Sequence, residues 1–523
     1  MVRGPGGALL GRSDPLVAGR LQADRGMIPE GGLLSVDLNT WTPMRWPCGP
    51  LEIDRGEKRD DFTKRERTAL EAWADPGQLE WLEGTPVDCL VVTWAGGSFL
   101  DEPQQQSLAP LIAAARERKL ALVGHVGEGA DLRRAAAAAA SAGLAALATE
   151  SDETVEGLPV LRFGAQSLEG RSPGEFLGVS GGVWPGLRVN RQEDFDAWSG
   201  VTGPPWVDSN AWFVRLAREL VNPGAVWLDF DPPVTRMAAP AGAYVQAIAD
   251  AEIYGGRWVI SLDPRLRYEL SRGRGQDTWG QVGQALTFFR SHRVWTSYRP
   301  VSRLGVVSDF AGDNAFLSFE VANLLTRQSS AYRLLRSDEA MSDDLDELKA
   351  LLYVDRTPPK KELRQRLYSF VEDGGTLITP PGWEERGERW TGAVFPRFHV
   401  CRFGRGRLAV AREDLSDPHL LASDAQVLLS HRHDPVRVFN LGTSRFHFAT
   451  SDDGASGVLH LFRYARRPFE DQVSVWFGRP WGSAGTWLVG SDAAEPTGRT
   501  PKEPGVEFQL PRVGPYCAVE VSG

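Results

Sequence analysis

Residues 225–233 are the stretch that most constrains how this chain can fold. They read Ala-Val-Trp-Leu-Asp-Phe-Asp-Pro-Pro, a short apolar run that ends in two aspartates and is stopped by two prolines. Alternate side chains of a strand share a face, so Trp227, Asp229 and Asp231 are expected to point one way and their neighbours the other. Buried carboxylates without partners are costly, whereas the C-terminal ends of parallel barrel strands are where active sites form. We therefore interpret this stretch as one wall of an active site.

Strand and helix patterns alternate on both sides of this stretch. Seven further strands are predicted, at residues 32–39, 87–95, 120–126, 144–149, 158–163, 176–180 and 257–263, so residues 225–233 form the seventh of eight. Helices are predicted at residues 104–118, 131–142, 208–220, 241–254 and 278–290, the third with Asp208 as its N-cap. Eight strands separated mostly by helices over about 260 residues are typical of a (β/α)8 TIM barrel. A doubly wound open sheet is the alternative.

The rest of the chain predicts two more structural units. Residues 1–30 are rich in Gly and Arg and are expected to be irregular, so the barrel is assigned to residues 31–298. Strand and helix patterns alternate again over residues 299–435, which predicts a small flavodoxin-like α/β domain. Short β-type runs separated by turns fill residues 436–523 and predict a β-sandwich.

Composition excludes several classes of function. The formal net charge of −10 argues against nucleic acid or an anionic membrane as a partner, and no apolar run is long enough to span a bilayer. The four cysteines lie far apart without metal-binding spacing, which fits a reduced, cytoplasmic protein without a zinc site. No Gly-rich nucleotide loop occurs, so no cofactor is expected.

Three short segments suggest a family. Residues 352–378 contain Leu-Tyr-Val and Phe-Val-Glu-Asp-Gly-Gly-Thr-Leu-Ile, which look like a trimerisation domain, and residues 404–407 and 458–464 look like the return of the chain into a β-sandwich. With the order barrel, α/β domain and sandwich, the chain resembles the family-42 glycoside hydrolases, the β-galactosidases with an amidotransferase-like trimerisation domain. The resemblance implies a carbohydrate substrate and a homo-oligomer, either a trimer or a dimer. The amidotransferase-like domain lacks a Gly-X-Cys-X-Gly elbow and is assigned no catalysis.

The barrel differs from the family pattern at the positions where the family carries its catalytic residues. The family carries an Asn-Glu pair after the fourth strand and a glutamate after the seventh. Here Glu150 follows Ala-Thr, and the seventh strand ends with Asp229 and Asp231. Glycoside hydrolysis needs one carboxyl to protonate the leaving oxygen and another to attack the anomeric carbon or activate water. We expect a retaining scheme with Glu150 as acid/base and Asp229 as nucleophile, and with Asp231 as the alternate for Asp229.

Further polar and aromatic side chains are expected to bind the substrate. They fall at predicted strand ends or in loops, where polar groups would converge at one mouth of the barrel. The candidates are Asp37, Asn39, Trp94, His125, Trp184 and Asp263. Each has a plainer interpretation as a core or structural residue, because tryptophan and histidine are also common in cores.

Three functions are consistent with these observations. The first is a glycoside hydrolase acting on an unidentified sugar through a carboxylate pair. The second is a non-catalytic carbohydrate-binding pseudo-glycosidase, which kept the cleft and lost a matched acid pair. The third is a structural protein whose barrel and α/β domain build an oligomer.

Overall fold

A barrel of eight parallel strands forms the first part of the fold. The computed structural model describes residues 38–153, 155–188, 190–191, 197–198, 206–233, 238–338, 340, 345–390, 395–464 and 472–523. The barrel strands pair in chain order: β1 Pro43–Arg45, β2 Cys89–Thr93, β3 Ala121–His125, β4 Ala146–Thr149, β5 Val160–Gly164, β6 Phe176–Val179, β7 Ala225–Leu228 and β8 Arg257–Trp258. Ile260, just after β8, closes the ring by donating to Pro43 O and accepting from Arg45 N, both at 2.9 Å. The predicted TIM barrel is confirmed, and the open sheet is wrong.

The predicted first strand is wrong as a barrel strand. Pro43–Arg45, three residues long, is the segment that pairs with β2. Leu38 and Asn39 lie in a turn before it, and residues 32–37 lie outside the described residues. The predicted eighth strand is also shorter than expected, because Asp263 already caps a helix.

Helices cover most of the barrel. They are α1 Pro50–Glu57, α2 Lys64–Ala72, α3 Asp101–Glu117, α4 Leu132–Ala142, α5 Ala211–Leu220, α6 Ala241–Glu252, α7 Pro264–Leu270 and α8 Gln276–Ser291, with 3-10 turns at Pro76–Leu82 and Arg293–Ser297. In the described residues from β4 to β6 no helix occurs, so these strands are joined by loops at residues 150–159 and 165–175.

Short antiparallel ribbons lie between β6 and α5. Gly186–Arg188 pairs with Trp206–Asp208, and Asn190–Arg191 pairs with Ala197–Trp198. Asp208 therefore ends a strand, and the predicted N-cap is wrong because Asn210 occupies that position.

The two faces of each barrel strand are buried in different cores. The barrel interior holds one apolar cluster, whose members are Cys89, Val91, Val123, Ala146, Ala148, Leu161, Phe163, Ala225, Trp227 and Val259. The alternate residues of the same strands, including Val226 and Leu228, pack outward in the core shared with the helices. Trp227 is thus on the inner face, as the sequence alternation predicts.

An α/β domain with a largely parallel sheet follows the barrel. Its strands are β9 Leu304–Ser308, β10 Tyr332–Arg336, β11 Ala350–Tyr353, β12 Thr376–Thr379, β13 Glu388–Arg389, β14 Phe398–Phe403 and β15 Gly406–Ala411, in the order β10-β9-β11-β12-β15-β14-β13. Helices α9 Ala315–Arg327 and α11 Pro418–Leu429 pack on one face and α10 Lys361–Glu372 on the other. Single 3-10 turns occur at Gly312–Asn314 and His431–His433. The α/β prediction is confirmed, while the likeness to amidotransferases stays a prediction.

Two antiparallel sheets form the predicted β-sandwich. Its strands are β16 Val436–Phe439, β17 Ser444–Thr450, β18 Ser456–Arg463, β19 Ser474–Phe477, β20 Ser483–Leu488, β21 Gly498–Lys502, β22 Gly505–Gln509 and β23 Tyr516–Ser522. One sheet has the order β17-β18-β23-β20, with Arg299–Pro300 paired to the outer edge of β17, and the other has the order β16-β19-β22-β21. An apolar core lies between them. The exact domain boundaries, at residues 299 and 436, stay a prediction.

The described part of the chain contains no helix that is long and apolar enough to cross a bilayer. All four cysteines are buried and unpaired.

Candidate active site

Polar side chains follow the apolar layers of the barrel interior at the carboxyl ends of the strands. Every second residue of a barrel strand faces the interior, and the inner-facing positions that follow the apolar cluster toward the carboxyl ends of the strands are polar. These residues are Arg45, Thr93, His125, Glu150, Ser180, Asp229, Asp231 and Ser261. Because the strands are parallel, all of these side chains belong to the same end of the barrel. We call them the rim residues.

Arg45, at the end of β1, joins the two aspartates that follow β7. Its Nε donates to Asp229 Oδ2 at 3.0 Å, and its Nη1 donates to Asp231 Oδ1 at 3.1 Å. Burial opposes the charge on the guanidinium, but the neighbouring carboxylates of Asp229 and Asp231 outweigh it and raise the pKa of Arg45. Arg45 is therefore a fixed cation between two carboxylates.

Asp229 is buried, whereas Asp231 is exposed. The Asp229 side chain retains 3% of its exposure and that of Asp231 retains 73%. Burial raises the pKa of Asp229, Arg45 lowers it, and the charges of Asp231 and Glu150 raise it further. Asp231 accepts a second hydrogen bond, at 2.8 Å, from Ser261 Oγ beyond β8. Only Asp231 of this pair presents its carboxylate to solvent.

Glu150 reaches the same end of the barrel from β4. It is exposed, and its Oε1 accepts a hydrogen bond from Ser180 Oγ, after β6, at 2.9 Å. Its charge contributes to the raised pKa of Asp229, so the carboxylates after β4 and β7 are within electrostatic reach. The three predicted catalytic residues, Glu150, Asp229 and Asp231, therefore follow strands at the same end of the barrel.

His125, at the end of β3, lies near Arg45. Burial lowers the pKa of His125 to about 3, and Arg45 and Arg55 lower it in the same direction against the opposing charge of Asp231. The imidazole is therefore neutral near pH 7 and offers one N–H donor and one acceptor.

The other predicted substrate-binding residues are more scattered. Asp263 is buried and caps α7, with Oδ1 accepting from Arg265 N at 2.8 Å. The carbonyl of Asn39 accepts from Arg257 Nη2 at 2.8 Å. Since Arg257 begins β8, Asn39 lies at the end of the barrel opposite the rim residues. Asp37 lies outside the described residues.

Neither predicted stacking tryptophan is an open platform. Trp94 is 2% exposed, and its Nε1 donates to Ala135 O at 3.1 Å. Trp184 is partly buried and packs edge-on against Trp258, with ring centroids 5.1 Å apart. Trp94 belongs to the core shared with the helices, and Trp184 packs against it. Substrate contact by them stays a prediction.

Arg45 and Ser180 are rim residues that the sequence interpretation missed. Arg45 follows a strand of three residues, which is too short to show alternation. The signal that could have found it is electrostatic, because two aspartates on one inner face require a cation from another strand. Among the described residues, no three His, Cys, Asp or Glu side chains are grouped as metal ligands.

Several solved structures are similar in fold to this chain. An α-L-fucosidase, isoenzyme 2 from Paenibacillus thiaminolyticus, matches with a TM-score of 0.51 and 10% identity, over 92% of this chain and 99% of that one. A catalytic mutant of a GH42 β-galactosidase from G. stearothermophilus has a TM-score of 0.39 and 10% identity, over 82% and 69%. A β-galactosidase from Bacillus circulans sp. alkalophilus has a TM-score of 0.34 and 10% identity, over 81% and 68%.

The fucosidase likeness extends over nearly all of both chains, so this chain shares the overall fold of that structure. Structures of family 42, expected from the domain order, are among the similar ones. No protein-family model and no curated protein matches the sequence.

Proposed function

We propose that this protein hydrolyses glycosidic bonds at the rim of the barrel. The observation that supports the proposal best is that exposed carboxylates after two different strands, Glu150 and Asp231, share one end of the barrel with a fixed cation. Two carboxyl groups flanking the bond are what this chemistry requires.

The solvent exposure of Asp229 and Asp231 indicates which of the two carboxylates can act as the nucleophile. A nucleophile must touch the anomeric carbon, and Asp231 is accessible where Asp229 is not. We therefore assign the attack to Asp231, the alternate of the sequence interpretation. Asp229 becomes a positioning residue that holds Arg45, and Arg45 in turn orients the Asp231 carboxylate.

In the first step of the retaining scheme, the Glu150 carboxyl gives its proton to the glycosidic oxygen while an Asp231 oxygen attacks the anomeric carbon. The leaving alcohol departs and a glycosyl ester remains. Water then attacks the anomeric carbon of this ester and gives its proton to the Glu150 carboxylate, and the bond from that carbon to the Asp231 oxygen breaks, which releases the sugar and the Asp231 carboxylate.

The test is turnover of a panel of aryl glycosides by purified variants. The panel includes α-L-fucosides and β-galactosides, because the similar structures carry those names. Asp231→Asn is expected to lose at least about 1000-fold in kcat. Glu150→Gln is expected to lose more on substrates with poor leaving groups than on activated ones. Glu156→Gln, an exposed acid in the same loop as Glu150, is the control and should keep full activity.

The assignment of the nucleophile has its own readout. Azide added to Asp231→Gly should restore turnover of an activated substrate and give a glycosyl azide of inverted configuration. If azide rescues Asp229→Gly in this way and leaves Asp231→Gly inactive, Asp229 is the nucleophile and our division of roles is wrong.

Binding without hydrolysis is the second candidate. It is favoured by the ion pairs of Arg45, which engage both aspartates. Calorimetry that detects saccharide binding, together with no turnover across the whole panel, would establish this function instead.

A further inference from the structure

A second cavity lies away from the barrel rim, where the barrel helices, the α/β domain and the sandwich meet. Its volume is about 510 Å³, which is within the range of small-molecule sites. Arg215 of α5 lines it from the barrel, Arg303 and Tyr332 from the α/β domain, and Arg437 of β16 from the sandwich. None of the rim residues lines this cavity.

The cavity is basic in an acidic protein. Three guanidiniums from separate parts of the fold face it, and Asp434 is the one carboxylate among its described lining residues. The whole chain carries a net charge of −10. A concentration of positive charge against this background favours an anionic ligand.

The guanidiniums retain hydrogen-bonding capacity. Each has five N–H donors. Arg303 Nη1 donates to Glu347 O at 2.9 Å, and Arg215 Nη2 donates to Tyr332 O at 2.6 Å while its guanidinium stacks 3.8 Å from the Tyr332 ring centroid. Arg437 donates to Asp434 and to His431 O. These contacts fix the orientation of each side chain and use only part of its donors.

Two further observations point to a ligand. Gln328 lines the cavity, and its Oε1 is buried without a hydrogen-bond partner. Such an acceptor is costly unless a donor reaches it. His433 also lines the cavity, and burial and the charges of Arg432, Lys349, Arg303 and Arg407 lower its pKa.

One part of the cavity wall is apolar. It is formed by Val301, Val438 and Phe446, together with Phe439, which is 42% exposed. Such a wall would hold the uncharged body of a ligand while the guanidiniums hold its charged group.

We propose that this cavity binds a small phosphate monoester. Paired guanidiniums suit phosphate oxygens, Gln328 Oε1 would accept from a hydroxyl or amino group of the ligand body, and the apolar wall would cover one face of that body. A nucleoside monophosphate and a sugar phosphate share this chemistry. The site is independent of sugar cleavage at the rim.

Isothermal titration calorimetry on the full chain tests the proposal with AMP, glucose 6-phosphate, adenosine and inorganic phosphate. One of the two esters should bind with a submillimolar Kd, and adenosine should not bind. The ester that binds shows whether the uncharged part of the ligand is a nucleoside or a sugar. Arg303→Gln and Arg437→Gln should each weaken binding about 10-fold. Arg405→Gln, an exposed arginine of the α/β domain paired with Asp373, is the matched control.

A second measurement covers the case in which a variant folds poorly. In the unaltered protein, the bound ester should raise the pKa of His433, followed by the NMR shift of its ring proton, because a dianion offsets the arginine charges. The proposal is overturned if neither ester binds at about 10 mM, or if binding is equal in the unaltered protein and in both folded arginine variants. Glycosidase activity should be the same in these variants, so the two proposals fail separately.

Discussion

Arg45 and Asp229 set the residue-scale arrangement of the rim. The carboxylate is nearly inaccessible and the guanidinium is partly exposed, with side-chain exposures of 3% and 29%. A buried carboxylate that loses its cation remains as an uncompensated charge. The stability of the pair therefore depends on both members being present.

Removing the cation should be costly. Arg45→Met is expected to lower the free energy of unfolding by roughly 2–4 kcal/mol, because Asp229 is left buried without its partner. The double variant with Asp229→Asn should recover part of this loss. Urea denaturation gives the values. Arg274→Met, which removes an exposed pair with Glu269, should change the free energy by less than about 0.5 kcal/mol. If Arg45→Met and Arg274→Met lowered the free energy of unfolding equally, the pair with Asp229 would not have the expected importance.

His460 predicts a pH dependence of stability. It is 1% exposed, its Nδ1 lies 2.7 Å from Tyr516 Oη, and burial lowers its pKa to about 3, with Arg445 and His292 acting in the same direction. In the unfolded chain a histidine takes up a proton near pH 6.5. Between that value and about 3 the unfolded state binds more protons, so stability is lost as the pH falls, by on the order of 4 kcal/mol.

The measurement is the free energy of unfolding against pH. His460→Gln should show a smaller decrease between pH 6.5 and 4 than the unaltered protein. His431→Gln, which replaces a histidine that is 84% exposed, should follow the unaltered curve. A His460→Gln curve parallel to the unaltered one would refute the assignment.

Sequence reasoning found the carboxylates at the rim but not the cation. Asp229 and Asp231 could be placed on the inner face because β7 has a clear alternation. Glu150 and His125 also followed recognisable strands. Arg45 could not be found this way, because β1 is only three residues long and its pairing to β2 and Ile260 is a long-range property.

At the scale of elements, one buried ion pair connects a strand of the sandwich to a helix of the barrel. Arg445 of β17 pairs with Asp250 of α6, and the two side chains are 1% and 0% exposed. Asp250 also accepts from Ser209 Oγ at 2.7 Å and from Asn210 N at 2.8 Å. The Asn210 side chain in turn binds Val183 beyond β6, with its Nδ2 donating to Val183 O at 2.6 Å. The sandwich therefore supports a loop at the carboxyl end of the barrel.

Breaking this pair should destabilise the fold. Arg445→Met is expected to lower the free energy of unfolding by about 3–5 kcal/mol, because Asp250 stays buried without its cation. Arg299→Met removes an exposed pair with Asp452 and should cost less than about 0.5 kcal/mol. Both are measured by denaturant titration. A loss in Arg445→Met no larger than in the control would show that the pair contributes little.

Element boundaries were harder to predict than element types. The strand predicted at residues 257–263 ends at Trp258, because Pro264 begins α7 and Asp263 is required as its N-cap. Apolar residues continue to Leu262, so hydrophobicity alone does not mark the end of the strand. The capping pair Asp-Pro was the available signal.

At the scale of the whole molecule, the barrel and the sandwich share a core. Phe462 and Tyr516 of the sandwich belong to the same buried cluster as the barrel helices, and the Tyr516 ring lies 5.0 Å from that of Phe289 in α8. In the α/β domain, the sheet face covered by α10 packs in a core of its own, distinct from the core that the barrel and the sandwich share. We expect the barrel and sandwich to unfold together, with the α10 face of the α/β domain behaving more independently.

Hydrogen exchange followed by mass spectrometry checks this coupling. Phe462→Ala should cost about 3–5 kcal/mol and reduce protection in both α8 and β18. Leu367→Ala, in the separate core of the α/β domain, should reduce protection around α10 while α8 stays protected. Loss of protection in β18 alone in Phe462→Ala would show that the two units open separately.

The order of the three units could be predicted from sequence because each has its own periodicity. The contacts between them could not. Phe289 and Tyr516, or Asp250 and Arg445, lie about two hundred residues apart, and no local pattern links them.

The helix-free connections on both sides of β5 have a consequence for how such proteins diversify. A crossover that contains a helix must keep its length and register to cover the barrel, whereas an exposed loop can gain or lose residues at little entropic cost. Residues 150–159 and 165–175 begin at the same end of the barrel as Glu150 and Ser180. Insertions and deletions in a lineage of this fold should therefore accumulate at these two connections, and the shape of the rim would change there without rebuilding the scaffold.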